Sequence, residues 1–266
     1  MHALSRFAAF VALAATLSPL SVNAQGLDIA QADVVDLTHS IDRDTIFWPT
    51  ERRTFELTEE HKGLTERGFF YAANRFCLPE HGGTHIDAPY HFARDGLAVG
   101  VLPVERLVGP AAVIDVSAKA AAEVDYTLSI DDVTAWEAKH GKLSPGTIVL
   151  LRTGWSARWP DKRAYLGDDT PGDATRLHFP SYGIEAVRLL IERGVSVIGV
   201  DTASIDNGPS KDFLVHRAAG AANVVGVENL SNLDKLPATG AWFVGLPMKI
   251  AHGSGAPARV IAFVPR

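Results

Sequence analysis

Two short apolar runs constrain this chain more than anything else in it. "GTIVLLRTGW" (146–155) and "VSVIGVDTASID" (195–206) each carry consecutive apolar residues with no polar residue at every second place. A strand that borders water on one face alternates, whereas a strand covered on both faces does not. Both runs therefore read as buried strands that need cover on each side. "SYGIEAVRLLIERG" (181–194), which lies between them, reads as a helix with Ala186, Leu189 and Leu190 on one face. The second strand ends at Asp201, and ligands in open α/β sheets collect at such carboxyl ends.

The rest of the chain extends the same pattern. "DVVDLTHSI" (Asp33–Ile41), "FFYAANRFCL" (Phe69–Leu78) and "PAAVIDVS" (Pro110–Ser117) read as strands. "SIDDVTAWEAKHG" reads as a helix: Ser129 is its N-cap, Asp131 and Asp132 suit its first turn, and Gly141 stops it. "AWFVGLPMKI" and "ARVIAFVP" close the chain as two more strands. Strands interleaved with helices define an α/β protein, a mixed sheet with helices packed on it. With no internal repeat and no long polar linker, residues 25–266 read as a single domain. The long loop Trp159–Pro180 is either a functional lid or a surface excursion.

The N-terminus differs from the rest. "MHALSRFAAFVALAATLSPLSVNAQG" has one cation, Arg6, then an apolar run from Phe7 to Leu17, then small residues at Val22 and Ala24 before Gln25. This is the pattern of an export signal over residues 1–24, too short to span a bilayer, and it predicts a periplasmic or secreted mature chain with no membrane attachment. The chain nevertheless has one cysteine, so it can form no internal disulfide and no cysteine-rich metal site. Cys77, between Phe76 and Leu78, reads as a small buried hydrophobe. A net charge of −6 with no basic patch argues against nucleic acid as a partner.

Three of the ten histidines fall in "EHGGTHIDAPYHF" (80–92), where His81, His85, Asp87 and His91 follow the pattern H-x-x-x-H-x-D-x-x-x-H. Gly82, Gly83 and Pro89 disfavour a helix here. A strand end running into a glycine turn would fold His81 back beside His85, and in extended backbone His85 and Asp87 point the same way. Three chemistries can use such a cluster: imidazole and carboxylate ligation of a divalent metal, general base catalysis by one histidine, or hydrogen bonding at a turn. The density of donors without thiols favours the metal. Two histidines and one aspartate leave a coordination position open for water, and His91 is a fourth ligand or a base beside that water. Downstream, His216 and Glu228 lie twelve residues apart, and nothing in their own surroundings separates them from surface residues.

Together these pieces resemble one family. "HGGTHIDAPYHF" is similar to the H-x-G-T-H-x-D-x-P-x-H signature of the cyclase-like metal-dependent hydrolases, which include bacterial kynurenine formamidase and isatin hydrolase. "VVDLTHSI", "FWP", "AWEAKHG", "LLRTGW", "GVDTASID", "VHR", "ENLSNLDKLP" and "GSGAPARVIAFVP" follow the same order. The resemblance implies a swivelling β/β/α domain around a small central β-barrel, assembled as a homo-oligomer. It implies that His81, His85 and Asp87 hold a first ion, that Asp87 bridges to a second held by His216, and that Glu228 touches both. It also makes His91 the proton carrier and places Trp48 against the substrate. The implied cofactor is a divalent metal, zinc first and manganese as the alternative, one or two ions per chain.

The expected reaction is hydrolysis of a carbon–nitrogen bond in a small aromatic amide by metal-activated water. Glu228 leans the resemblance towards an arylformamidase acting on N-formylkynurenine, and "TAWEAKHGKLSPGTIVLLRTGW" leans it towards a cyclic amide of the isatin type. Lactone hydrolysis on the same scaffold and a non-enzymatic periplasmic metal- or ligand-binding protein are the rival readings. The aromatic "GFFYAANRF" either offers a surface to an aryl substrate or packs in the core.

Overall fold

The computed structural model describes residues 28–266, so the export-signal expectation lies outside the described residues. In chain order the strands are β1 (Ala32–Asp36), β2 (Glu56–Leu64), β3 (Phe70–Cys77), β4 (His85–Asp87), β5 (Val108–Asp115), β6 (Thr127–Leu128), β7 (Ile148–Arg152), β8 (Ser181–Tyr182), β9 (Val197–Val200), β10 (Val225–Glu228), β11 (Trp242–Pro247) and β12 (Gly255–Pro265). The α-helices are α1 (Ser117–Ala122), α2 (Ile130–His140), α3 (Lys162–Leu166), α4 (Ile184–Glu192) and α5 (Leu214–Ala221).

The main sheet runs β1-β12-β11-β5-β7-β9-β10-β4, and β12 also pairs with β4. Seven strands therefore close into a mixed barrel, with β1 lying outside against β12. The steps β5–β7, β7–β9 and β9–β10 are parallel, with Ile148 opposite Val197 and Val225 opposite Val197 from the other side. Parallel neighbours need crossovers, and α4 and α5 supply those into β9 and β10.

The unbroken apolar runs now have their physical reason. Ile148 and Leu150 of β7 point into the barrel with Val113, Val197, Val227 and Phe243. Val149 and Leu151 point outward, beneath Val133 of α2, Ala186 and Leu190 of α4, and Ala219 of α5. This is the expected α/β architecture with a central barrel and packed helices.

Five local expectations need correction or extension. β1 stops at Asp36 rather than Ile41, and beyond it Thr38 makes only a bridge to Leu230. β3 has a partner the sequence did not announce, β2, and the two form a separate two-stranded ribbon. Cys77 is exposed at the end of that ribbon, not buried. Phe69, Phe70 and Phe76 are likewise exposed, so they are neither core nor part of the centre described below. The loop Trp159–Pro180 is no loose excursion: it contains α3, and its Tyr165, Leu166, Leu177 and Phe179 pack with Ile46 and Trp155 in a third apolar cluster. No helix among the described residues is long and apolar enough to cross a membrane.

Candidate metal centre

β4 is only three residues long, and its alternation decides where its side chains go. Ile86 is fully buried in the barrel, so His85 and Asp87 both face the other way. Gly83, at φ +60°, makes the turn before β4 in a conformation that side-chain-bearing residues rarely adopt. That turn brings His81 back against His85, with ring centroids 5.3 Å apart. Glu228, the last residue of β10, pairs with His85 in register, and cross-strand partners share a face. His216 arrives from α5, buried beside them.

Five donors meet as a result. Asp87 Oδ1 lies 2.6 Å from His81 Nδ1 and 3.2 Å from His85 Nε2, while its Oδ2 lies 3.2 Å from His216 Nε2. Glu228 reaches His216 Nε2 at 3.2 Å and His85 Nε2 at 3.5 Å. Two triads result, His81–His85–Asp87 and Asp87–His216–Glu228, each compact enough to hold an ion. His85 Nε2 is buried and makes no hydrogen bond despite these neighbours, and a buried donor or acceptor left unpaired in this way is costly. A divalent cation would satisfy it, and nitrogen and carboxylate donors without thiolate suit zinc, manganese and similar ions.

Each ligand imidazole is also held from behind. His85 Nδ1 bonds the Gly83 carbonyl at 2.9 Å. His216 Nδ1 bonds Asp206 at 2.7 Å, and Asp206 also accepts from the backbone N–H groups of Val215 and His216. His81 Nε2 bonds the Ser254 hydroxyl, which donates onward to Glu80 at 2.7 Å. Such partners fix the tautomer and aim the other nitrogen at the ion. Asp206, Ser254 and Glu80 escaped the reading of the sequence. The glycines flanking Ser254 were the one available signal, because a Cβ on Gly255 would stand 2.4 Å from the His81 ring.

The charges fit the same picture. Burial works against the charged form of every group here. For Asp87, the imidazoles of His85, His216 and His81 outweigh it and hold the carboxyl well below the usual range. Burial and the neighbouring Asp87 push Glu228 up. His85 is raised to about 9, because Asp87 and Glu228 overcome its desolvation, and His216 is raised well above its ordinary value by Asp206, Asp87 and Glu228. The carboxylates that would attract a cation thus also favour protons on His85 and His216. His91 differs: burial pushes it down to about 4, so it is neutral, and it stacks on His81 with centroids 3.7 Å apart.

The centre lines one side of a cavity of about 200 Å³ whose other walls include Phe47, Trp48, Phe92 and Phe213. Trp48 is held edge-on by Phe179 and tilted against Phe213. The seven candidate site residues His81, His85, Asp87, His91, His216, Glu228 and Trp48 all border this one cavity. Asp201 does not. It accepts from the Thr153 and Gly154 N–H groups at 2.8 and 2.9 Å and lines a separate cavity of about 710 Å³, where His39 stacks on Trp159.

A mixed barrel with such a cluster at its shortest strand is a scaffold built around a site able to hold a divalent ion. The chain belongs to the Cyclase family, whose model matches residues 35–207. It is 38% identical to the isatin hydrolase of Roseibium aggregatum over 75% of this chain and 77% of that one. It is 29% identical to the kynurenine formamidase of Salinibacter ruber over 86% and 96% respectively. Among solved structures, isatin hydrolase A from Labrenzia aggregata bound to benzyl benzoate superposes with a TM-score of 0.81 at 36% identity, covering 91% of this chain and 97% of that one. The chain is thus a hydrolase of the Cyclase family. The family model ends before His216 and Glu228, which reach the site through the fold.

Proposed function

We propose that this chain is a divalent-metal-dependent hydrolase of a compact aryl amide, with a cyclic amide of the isatin class as its preferred substrate and N-formylkynurenine as the open-chain alternative. The observation that carries the reading is the convergence of three imidazoles and two carboxylates from β4, α5 and β10 on one aromatic-walled cavity. His81, His85 and Asp87 would hold a first ion, and Asp87, His216 and Glu228 would offer the donors for a second. A cation held there would acidify a water and polarise the scissile carbonyl, zinc being the first ion to test and manganese the second.

The remaining work falls to this chain's own side chains. His91, neutral and stacked on a ligand, is placed to take a proton and pass it to the leaving nitrogen. Trp48, Phe47, Phe92 and Phe213 hold the aryl ring by apolar contact and keep water from its faces.

The cavity favours the cyclic substrate. Among the described residues no lysine or arginine lines it, and Glu51 is its one charged wall residue outside the centre. An amino-acid substrate would bring an α-carboxylate with no counter-ion there, whereas a neutral two-ring amide needs none. The 38% identity to an isatin hydrolase supports the same preference. Glu228 favours the second reading, since it reaches His85 with one oxygen and His216 with the other, as a two-ion site requires.

Protein reconstituted with zinc or manganese and assayed on isatin, N-formylkynurenine and an aryl lactone tests the proposal. The expected order of kcat/KM is isatin, then N-formylkynurenine, with both lost on chelation. Turnover of the lactone alone would replace the amidase reading with an esterase one. A metal-loaded protein that turns over none of the three would favour the non-catalytic binder.

A further inference from the structure

Among the described residues, the non-glycines with positive φ are Phe213, Asn223, Asn229 and Asn232. Asparagine enters the left-handed region at little cost, whereas a bulky aromatic residue there is a strained outlier. Phe213, at φ 49° and ψ 46°, breaks a second local rule as well. It occupies the N-cap of α5, a place that favours serine, threonine, aspartate or asparagine, and its side chain caps nothing. The capping comes from elsewhere in the chain: the Asp206 carboxylate accepts from the N–H groups of Val215 and His216. A residue that offends both rules persists only where its surroundings hold it, and such residues gather at ligand clamps.

Those surroundings are aromatic. The Phe213 ring lies 5.2 Å from Phe92, 6.1 Å from Trp48 and 5.9 Å from His216, centroid to centroid. All four residues border the cavity of the candidate centre. Asp212 and Leu214, on either side of Phe213, are exposed, while His216, one turn further on, is buried. The ring therefore stands between the candidate ligands and the surface. An N-cap in the usual extended conformation would aim its Cα–Cβ bond elsewhere and take the ring out of this wall.

We propose that Phe213 is a specificity-determining residue: its strained backbone holds the ring across the outer end of the cavity, where it limits the length of the aryl group that can reach the centre. The inference deepens the aryl-amide reading and rests on it for the substrate class. A one-ring or fused two-ring amide fits beneath the ring, and an amide extended by a further phenyl group collides with it.

The test compares two metal-binding aryl ligands, benzohydroxamate and its 4-phenyl derivative, by calorimetry on the zinc-loaded protein, and so does not depend on turnover. The wild type should bind benzohydroxamate about tenfold or more tightly than the longer ligand. Phe213→Ala should bring the ratio close to one, and Phe213→Leu, with a shorter apolar side chain, should fall between. The strain has its own readout. Alanine ordinarily stabilises a chain relative to glycine, but at this positive φ Phe213→Gly should melt above Phe213→Ala by roughly 2 °C or more. A ratio unchanged in both folded variants overturns the proposal, as does a wild type that binds neither ligand or a glycine variant that melts below the alanine one. The parent reading fails separately: a protein that selects between the hydroxamates as expected, yet hydrolyses neither isatin nor N-formylkynurenine, keeps Phe213 as a size filter and loses the amidase assignment.

Discussion

Asp87 and His91 border the same cavity, but their removal should fail in different ways. Asp87 faces His81 and His85 with one oxygen and His216 with the other. Asp87→Ala removes the one carboxylate that faces all three imidazoles, and both metal content and turnover should be lost. His91→Ala removes a neutral ring stacked on a ligand; elemental analysis should find the metal retained while kcat falls by about 10² to 10⁴. Metal loss in that variant would make His91 a ligand instead. Gly255 carries no ligand, yet a Cβ there would meet the His81 ring at 2.4 Å and the Ile86 carbonyl at 2.5 Å. Gly255→Ala should therefore weaken metal binding, read by calorimetric titration, and unchanged affinity would show that the His81 ring has room to move. The candidate ligands on β4 were legible because glycine, histidine and aspartate sit close together in the chain. Asp206, Ser254 and Glu80 were not, because what they do depends on distance in space: Ser254 meets His81 from near the other end of the chain.

At the scale of elements, α2 follows local rules and β2 does not. Ser129 caps α2 as its sequence predicts, and Asp132 completes the reciprocal capping box. Ser129→Ala should cost about 1 kcal/mol, seen as a fall in Tm of roughly 2–4 °C for a domain of this size. Burial raises the Asp132 carboxyl, but Lys119, Tyr126 and Ser129 outweigh it and bring it to about 2, against an ordinary 3.8. A carboxyl depressed on folding stabilises the native state above its unfolded pKa. That contribution is complete above about pH 4 and is lost as the pH falls towards about 2. Urea midpoints measured across this window should fall less steeply in Asp132→Asn than in the wild type, and identical slopes would remove Asp132 from the acid response. β2 hid from the same kind of reading because Glu59 and Lys62 interrupt its apolar row and the extra residue Glu60 breaks the two-residue period. The segment from Trp159 to Pro180 hid because it packs through scattered aromatic and aliphatic anchors, Tyr165 and Phe179 among them, without any repeat.

The whole molecule depends on one short strand. β4 pairs with β10 on one edge and with β12 on the other, so three residues close the barrel. Two of those three, His85 and Asp87, are also in the metal-binding set, and Glu228 of β10 and His216 of α5 complete it. β5, β7 and β9 and the helices α2 and α4 could be read from the sequence pattern, whereas α5 and β10 were not; nor was this closure, because it joins distant parts of the chain through three residues that carry no strand pattern of their own. A cation at the centre would tie β4 to β10 and to α5 at the place where the sheet has its shortest member. Stabilisation by a ligand held a thousandfold above its Kd is about 4 kcal/mol, so chelation should lower Tm by on the order of 10 °C. The loss should also be uneven. Amides of Ile86, Val227 and Ala256, along the closing strands, should exchange faster with deuterium after chelation, while Val149 and Ile198, buried between the barrel interior and the helices, should keep their protection until global unfolding. Equal loss at all five positions would mean that the ion stabilises the fold as a whole and that β4 closes the barrel without its help.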